Sequence, residues 1–173
     1  YSIFVIVYIG SLMAFLASLR FYHSNAVGMT ALLSLLVVVK SSDAGAYFIG
    51  RMLGRHKLAP RMSPGKSVEG AVGAMLTGVL TSWLFFKGIA PLTAGDQVSA
   101  PLLQVILFGI VIASTGMIGD LFESVIKRDF NAKDSSKWLP GLGGILDIFD
   151  SILAAAPAAY VFWVLGCFLA EGS

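Results

Sequence analysis

The feature that most constrains the fold is a series of apolar runs, each about as long as a bilayer is thick. A hydrocarbon core of about 30 Å requires about 20 mostly apolar residues in a helix. The chain has 173 residues and contains five such runs, namely Tyr1–Leu19, Ala26–Gly50, Gly70–Phe86, Leu102–Gly119 and Ser151–Leu169. The sequence therefore predicts an integral membrane protein with about five spans.

Composition supports the same class. Hydrophobic residues make up 57% of the chain and charged residues only 13%, whereas about 25% charged residues is typical of soluble domains. So little charge argues against a soluble domain, and so much apolar character excludes a disordered chain. The single cysteine, Cys167, excludes a disulfide framework and a multi-cysteine metal site. A net charge of +2 gives no reason to expect nucleic acid as a partner.

The spans are predicted to be helices. Backbone groups in lipid must be satisfied internally, which leaves helices or a closed barrel. Barrel strands alternate apolar and polar residues, and neither Leu32–Val39 nor Val105–Ala113 does so. We expect an all-α, polytopic transmembrane helical bundle that forms one integral membrane domain over residues 1–173. Because the chain begins with Tyr1 inside an apolar run, we expect this domain to be the C-terminal part of a longer chain.

Two polar segments, at about 51–69 and 120–150, fall on the same side if the five spans alternate. They contain five and four basic residues, respectively, and the opposite side contains only Arg20 and Lys87. An excess of Lys and Arg marks cytoplasmic loops. We therefore expect both segments in the cytoplasm, and a bacterial inner membrane as the simplest location. The alternative interpretation is that these basic residues only set the topology and contact lipid headgroups.

The second apolar run contains two charged residues. Lys40 and Asp43 lie three residues apart and share one helical face. Charge inside a span costs about 2.5–3.5 kcal/mol on insertion scales and is a functional hypothesis by default. Two readings stay open: an ion pair that neutralises itself, and the lining of a polar cavity within the membrane.

Carboxylates gather at the ends of the last two runs. Asp120 follows one run, and Asp147 and Asp150 stand three residues apart at the start of the other, facing the same way. Carboxylates suit Mg²⁺, which usually takes one or two of them plus substrate phosphates. A solvated face of mixed charge is the alternative. The intervening segment adds helically spaced polar residues and a Gly-rich turn: Glu123, Ser124, Lys127, Arg128, Pro140, Gly141, Gly143 and Gly144.

The first polar segment contains Gly65-Lys66-Ser67, which resembles the end of a phosphate-binding P-loop. That motif requires a glycine five positions before Gly65, and the residue there is Pro60. A P-loop ATPase is therefore excluded. Lys66 can still contact a phosphate as a point charge, and Glu69, three residues later, is placed to pair with it.

Two segments resemble the recurrent motifs of the phosphatidate cytidylyltransferase (CDP-diacylglycerol synthase) family. The first is SDAGAYFIGRMLGRHKLAPRMSPGKSVEG, which begins at Ser42. The second has these parts in order: Ser124-Val-Ile-Lys127-Arg128, Lys133-Asp134-Ser135, Leu139-Pro140-Gly141, Gly143-Gly144, Asp147 and Asp150. The two segments stand in the family's order, and the resemblance covers the chain from roughly Lys40 to its C-terminus.

The resemblance implies a reaction in which CTP and phosphatidate give CDP-diacylglycerol and pyrophosphate. It implies Mg²⁺ as the cofactor, with a second cation left open, and membrane lipid and both substrates as partners. Whether a second copy joins as a homodimer also stays open. The implied metal ligands are Asp120, Asp147 and Asp150. The implied catalytic residues are Asp120, Asp147, Lys127, Arg128 and Ser124. The implied substrate-binding residues are Lys66, Lys133, Asp43, Gly143 and Gly144.

Three positions depart from the family pattern. Leu142 stands where the family usually has His, and Ile148 where an Arg commonly follows the first Asp of the closing pair. Gly65 stands where a Lys usually precedes Lys66. These replacements remove a proton-handling group and two phosphate-binding cations but leave the carboxylates and the Gly-rich turn. We expect a divergent member of the family, with an inactive homologue as an alternative.

Two other functions stay open. An ion-coupled transporter would also use Lys40, Asp43 and Gly-broken helices. A CTP-dependent enzyme that acts on an isoprenoid phosphate or alcohol would use the same cytoplasmic residues. Ion-driven uptake without nucleotide would favour the transporter, and only a panel of lipids separates the two enzymes.

Overall fold

The described part of the chain forms a bundle of helices with one small β-hairpin. A computed structural model describes the backbone of residues 2–60, 63–129, 145–165 and 167–169, and their side chains except at 2–6, 64, 127–129 and 145–148. The long helices are α1 (Ser2–Arg20), α2 (Asn25–Leu53), α3 (Val68–Leu84), α5 (Leu102–Asp129) and α6 (Ile145–Val164). The hairpin strands are β1 (Lys57–Ala59) and β2 (Ser63–Ser67). A π-helical turn (Phe85–Ile89), the short helix α4 (Ala90–Ala94) and a 3₁₀ turn (Gly95–Gln97) complete the described elements.

The predicted fold class is confirmed. Among the residues that the structure describes, three stretches are long and apolar enough to cross a membrane: Asn25–Leu53, Val68–Gln97 and Leu102–Ile126. Within the described side chains, Val7–Arg20 and Phe149–Val164 are shorter apolar helices. Each of the five expected spans therefore corresponds to one long helix.

The helices extend beyond the apolar runs at several ends. α5 continues without a break from the run that ends at Gly119 to Asp129, in agreement with the helical spacing of Glu123 and Ser124 in the sequence. The last span was expected to run to Leu169, but α6 begins earlier and ends at Val164. Apolar runs mark where a helix crosses lipid, and a helix that projects into water continues beyond that run.

Polar residues fix where the helices begin. Ser24 caps α2 because its Oγ accepts a hydrogen bond from the Val27 N–H, at 3.2 Å. Ser67 caps α3 in the same way, accepting from the Gly70 N–H at 3.1 Å. Such caps satisfy N–H groups that have no partner in the helix. The antiparallel hairpin connects the end of α2 to the start of α3 and pairs Lys57 with Ser67.

The end of the bundle away from the hairpin is closed by aromatic packing. Phe86, Phe108, Trp163 and Phe168 are all buried. The Phe86 and Phe168 rings stack with centroids 4.4 Å apart, and Phe108 meets Phe168 edge-on at 5.3 Å. A backbone hydrogen bond joins two segments at this end, because the Ser99 N–H donates to the Phe168 carbonyl at 3.0 Å. Aromatic rings therefore form the packed interior of this end.

Glycines allow α3 and α5 to approach closely. A Cβ atom on Gly109 would lie 2.6 Å from the Val79 Cα and 2.8 Å from the Gly78 carbonyl oxygen. A Cβ atom on Gly78 would in turn lie 2.8 Å from the Gly109 carbonyl oxygen. Small residues at helix interfaces in membranes bring backbones into van der Waals contact. These two glycines thus set the spacing of the helices that hold the site described below.

The substitution Gly109→Ala tests this packing. Because a methyl group there meets backbone atoms that cannot move aside, overpacking of about 1–3 kcal/mol should lower the unfolding temperature by roughly 2–12 °C. The measurement is thermal unfolding of the purified protein in detergent micelles. Gly88→Ala is the control, because no atom lies within 4 Å of the added Cβ. Equal unfolding temperatures for the two variants would contradict the close approach.

Candidate active site

A polar cavity opens at the hairpin end of the bundle. It measures about 820 Å³ and is bounded by α2, α3, α5, α6 and the hairpin. Three of its walls are helices that are long and apolar enough to span a membrane. Of the side chains that the structure describes, seven charged ones line it, namely Lys40, Asp43, Arg51, Lys57, Lys66, Asp120 and Asp150.

The cavity has room because small residues form much of its α2 and α3 walls. The small lining residues there are Ala46, Gly50, Gly70, Ala71 and Ala74. A Cβ atom on Gly70 would lie 2.8 Å from the Ala46 carbonyl oxygen and 3.2 Å from the Gly50 Cα. The two backbones therefore touch beside the cavity.

Three carboxylates converge on the α5–α6 side. One carboxylate oxygen from each of Asp120, Glu123 and Asp150 lies within 4.8 Å of the others. Asp120 and Glu123 are three residues apart on α5 and share a face, while Asp150 comes from α6. Glu123 is only 8% exposed. Like charges this close repel one another, and three oxygen donors are a ligand set that a hard divalent cation prefers.

Lys66 connects the hairpin to this cluster. Its Nζ lies 2.7 Å from Asp120 Oδ2 and donates to the Met117 carbonyl at 3.3 Å. The Lys66 side chain is 20% exposed, so most of it is packed against the protein. The ion pair brings a cation from the first polar segment into contact with a carboxylate from the second.

Lys40 and Asp43 form an ion pair and also line the cavity, as the two interpretations of their sequence pattern expected. Their side chains form an ion pair at 3.4 Å, and both line the cavity. Each side chain is about two-fifths exposed, at 43% and 37%. The pair therefore faces the cavity and is not buried in the core.

Glu69 does not pair with Lys66, contrary to the expectation from their spacing. Its Oε1 lies 2.6 Å from His56 Nδ1, and Oε2 accepts from the Arg55 N–H at 3.1 Å. The His56 N–H adds contacts of 3.2 and 3.3 Å to the two oxygens. The hairpin turns Lys66 towards α5 and Glu69 towards the end of α2, so the two side chains diverge.

Of the expected site residues, the structure brings four together around one cavity: Asp43, Lys66, Asp120 and Asp150. Ser124 lies on α5, and its hydroxyl donates to the Asp120 carbonyl at 2.8 Å. Its expected bond to a phosphate stays a prediction. The remaining expected residues lie outside the described side chains, and their roles also stay predictions: Lys127, Arg128, Lys133, Gly143, Gly144 and Asp147.

Three residues of this region were not among the site residues expected from the sequence. Glu123 was noted on the helical stripe but not assigned to the metal set, although its i, i+3 relation to Asp120 was a usable signal. Arg51 and Lys57 were counted only as topology signals, yet both line the cavity. Their position depends on the hairpin, which the sequence does not reveal.

The chain is similar to known cytidylyltransferases over most of its length. A family model described as "Cytidylyltransferase family" matches residues 1–165. A phosphatidate cytidylyltransferase of Haemophilus influenzae is 37% identical over 148 residues, which are 84% of this chain and 50% of that protein.

Two further relatives carry the same name. The protein of Bacillus subtilis is 37% identical over 159 residues, which are 92% of this chain and 56% of the relative. That of Brucella suis is 44% identical over 136 residues, which are 78% of this chain and 47% of the relative. The chain thus spans about half the length of the curated relatives it matches.

Thiol accessibility tests whether the cavity is filled with water. Met117 lines the cavity, whereas its neighbour Ile118 is 63% exposed on the outside of the bundle. In a Cys167→Ser background, Met117→Cys should react with a water-soluble methanethiosulfonate at least about tenfold faster than Ile118→Cys, because thiols ionise poorly in apolar surroundings. The measurement is the labelling rate in native membranes. Faster labelling at position 118 would contradict the assignment of the cavity as the aqueous face.

Proposed function

The chain belongs to the cytidylyltransferase family, and we propose that it forms the catalytic membrane domain of a phosphatidate cytidylyltransferase. The enzyme transfers a cytidylyl group from CTP to phosphatidate and releases pyrophosphate. The observation that carries this proposal is the cavity in which Lys66 meets Asp120 beside Asp150. That cavity offers anionic and cationic groups together, which suits a polyphosphate bound with a cation.

The chemistry requires little from a protein base. A phosphate oxygen of phosphatidate attacks the α-phosphorus of CTP, and a new P–O bond forms. The bond from the α-phosphorus to its bridging oxygen breaks, and pyrophosphate leaves with the electron pair. A phosphate monoester has a second pKa near 6 and is already anionic at neutral pH. Catalysis therefore rests on positioning and on stabilising charge.

Magnesium fits the carboxylate cluster. Asp120, Glu123 and Asp150 present oxygen donors within 4.8 Å of one another, and Mg²⁺ is held by one or two carboxylates plus substrate phosphates. Asp147 remains an expected ligand by its family motif, and a second cation remains open. When bound, the metal supplies Lewis-acid stabilisation of the charge that develops on the phosphate oxygens.

Cations from the chain complete the phosphate site. Lys66 has three N–H donors, so it can keep its bond to Asp120 while it donates to a phosphate oxygen. Lys40, Arg51 and Lys57 line the same cavity and can neutralise the rest of the triphosphate charge. By the family motif, we assign phosphate contacts also to Lys127, Arg128 and Lys133, and backbone contacts to Gly143 and Gly144.

The location of the cavity suits both substrates. The basic polar segments favour a cytoplasmic opening, where CTP is dissolved, in the inner membrane of a bacterium. Phosphatidate can keep its acyl chains in the bilayer while its headgroup enters between helices. The transporter and isoprenoid alternatives have no support from the relatives described above.

Neutral substitutions in the carboxylate cluster test the proposal. Asp120→Asn and Asp150→Asn should each lower the rate by about 10²–10³-fold, the usual cost of removing a group that stabilises charge. The assay supplies labelled CTP, phosphatidate and Mg²⁺ to the protein in lipid micelles and measures labelled CDP-diacylglycerol. Asp96→Asn is the control, because Asp96 is exposed in the turn at the opposite end of the bundle.

Three outcomes bear on the proposal. Product from the unaltered protein and from Asp96→Asn, with rates about 10²–10³-fold lower for the cluster variants, supports both the activity and the site. Product that is unaffected by all substitutions keeps the activity and overturns the site. Product with an isoprenoid phosphate but not with phosphatidate overturns the assigned lipid.

A further inference from the structure

We propose that Glu69 is a positioning residue for Lys66, acting through the hairpin. The inference rests on the role assigned to Lys66 in the proposed function. We call Arg55, His56 and Glu69 the Glu69 clamp, because Glu69 holds the other two. The clamp lies at the base of the hairpin, and Lys66 lies on the second strand, close to the same base.

The clamp ties together the two ends of the hairpin. Both carboxylate oxygens of Glu69, which follows the hairpin, contact donors of the segment before it. The His56 Nδ1 contact is 2.6 Å, and the Arg55 N–H bond is 3.1 Å. The backbone adds a bond from the Val68 N–H to the His56 carbonyl at 2.9 Å. The entry and exit of the hairpin are therefore held against each other.

This tie is distinct from the cap of α3. Ser67 already caps that helix through its bond with the Gly70 N–H, and an acidic residue in the first turn needs no partner before the helix to interact with its dipole. Glu69 instead reaches back to a segment thirteen to fourteen residues earlier. Its contacts therefore fix the hairpin more than they fix the helix.

The hairpin passes this restraint on to Lys66. Lys57 pairs with Ser67, which is the neighbour of Lys66. The Lys66 side chain then extends to Asp120 and the Met117 carbonyl on α5. A lysine has a long and flexible stem, so an ordered backbone limits where its ammonium group can lie. Without the clamp, Lys66 would sample positions away from the cavity.

A distance measurement tests the clamp without substrate. Spin labels at Gly65→Cys and Ile118→Cys, in a Cys167→Ser background, report the separation of the hairpin from α5. Both sites suit labelling, because no atom lies within 4 Å of a Cβ on Gly65 and Ile118 is 63% exposed. Double electron–electron resonance should give one narrow distance distribution, which broadens with Glu69→Ala. An unchanged distribution would overturn the proposal.

A double-mutant cycle tests whether Glu69 acts through Lys66. Glu69→Ala should lower kcat/KM for CTP by about 10–100-fold, the usual cost of losing a partner that orients a site residue. In a Lys66→Met background the same substitution should change little. Glu69→Gln should restore part of the rate, because its amide oxygen still accepts from one backbone N–H. Losses that simply multiply in the double mutant would indicate a general structural role and overturn the proposal.

A control variant and a substitute variant accompany Glu69→Ala. Asp96→Ala removes an exposed acidic side chain at the opposite end and should change neither readout. If Glu69→Ala does not fold, His56→Ala carries the test, because its imidazole is 79% exposed and its loss leaves the backbone donors in place. A broader distance distribution in a protein with no CTP activity would uphold the clamp and reject the proposed function.

Discussion

The fold depends on how charged side chains are accommodated between apolar helices. A charge that faces hydrocarbon is costly, so it must find a partner or water. Asp120, Asp43 and Lys40 all lie on helices long and apolar enough to span a membrane, and all three line one cavity. The Lys66–Asp120 ion pair, at 2.7 Å, joins the two polar segments of the chain across that cavity. The hairpin that delivers Lys66 is therefore as important to the site as the helices.

The two ends of the bundle differ in their packing. Stacked aromatic rings pack together at one end, and Gly78 on α3 and Gly109 on α5 bring the two helix backbones into contact. Small residues on α2 and α3 leave space at the other end. A site built on packed helices holds its groups more precisely than one built on loops. In this protein a short hairpin adds two cations to those that the helices supply, Lys57 and Lys66.

The sequence predicted the helical class and the number of long helices because membrane spans depend only on length and apolar character. It also predicted that Asp120 and Asp150 belong together, since both lie at ends of apolar runs on the same side. The helical spacing of Glu123 and Ser124 predicted that the helix continues past Asp120, but the sequence did not predict its end at Asp129, because polarity marks the end of a span and not the end of a helix. The pairing of Glu69 with His56 was missed for another reason. It depends on the register of the hairpin strands, which the pattern of apolar residues in the sequence does not predict. Lys66 and Glu69 are near neighbours in sequence, yet the turn of the backbone sends their side chains to different partners.

The central claim is that the cavity binds CTP together with a divalent cation at the carboxylate cluster. The most direct measurement is a structure of the protein in lipid with CTP and Mn²⁺, which replaces Mg²⁺ and is identified by its anomalous signal. The account predicts a metal about 2.1 Å from a carboxylate oxygen of Asp120 or Asp150, a distance typical of Mg²⁺-type coordination, with the triphosphate beside Lys66. A nucleotide and metal bound outside the cavity, with Asp120 in contact with Lys66 alone, would contradict it.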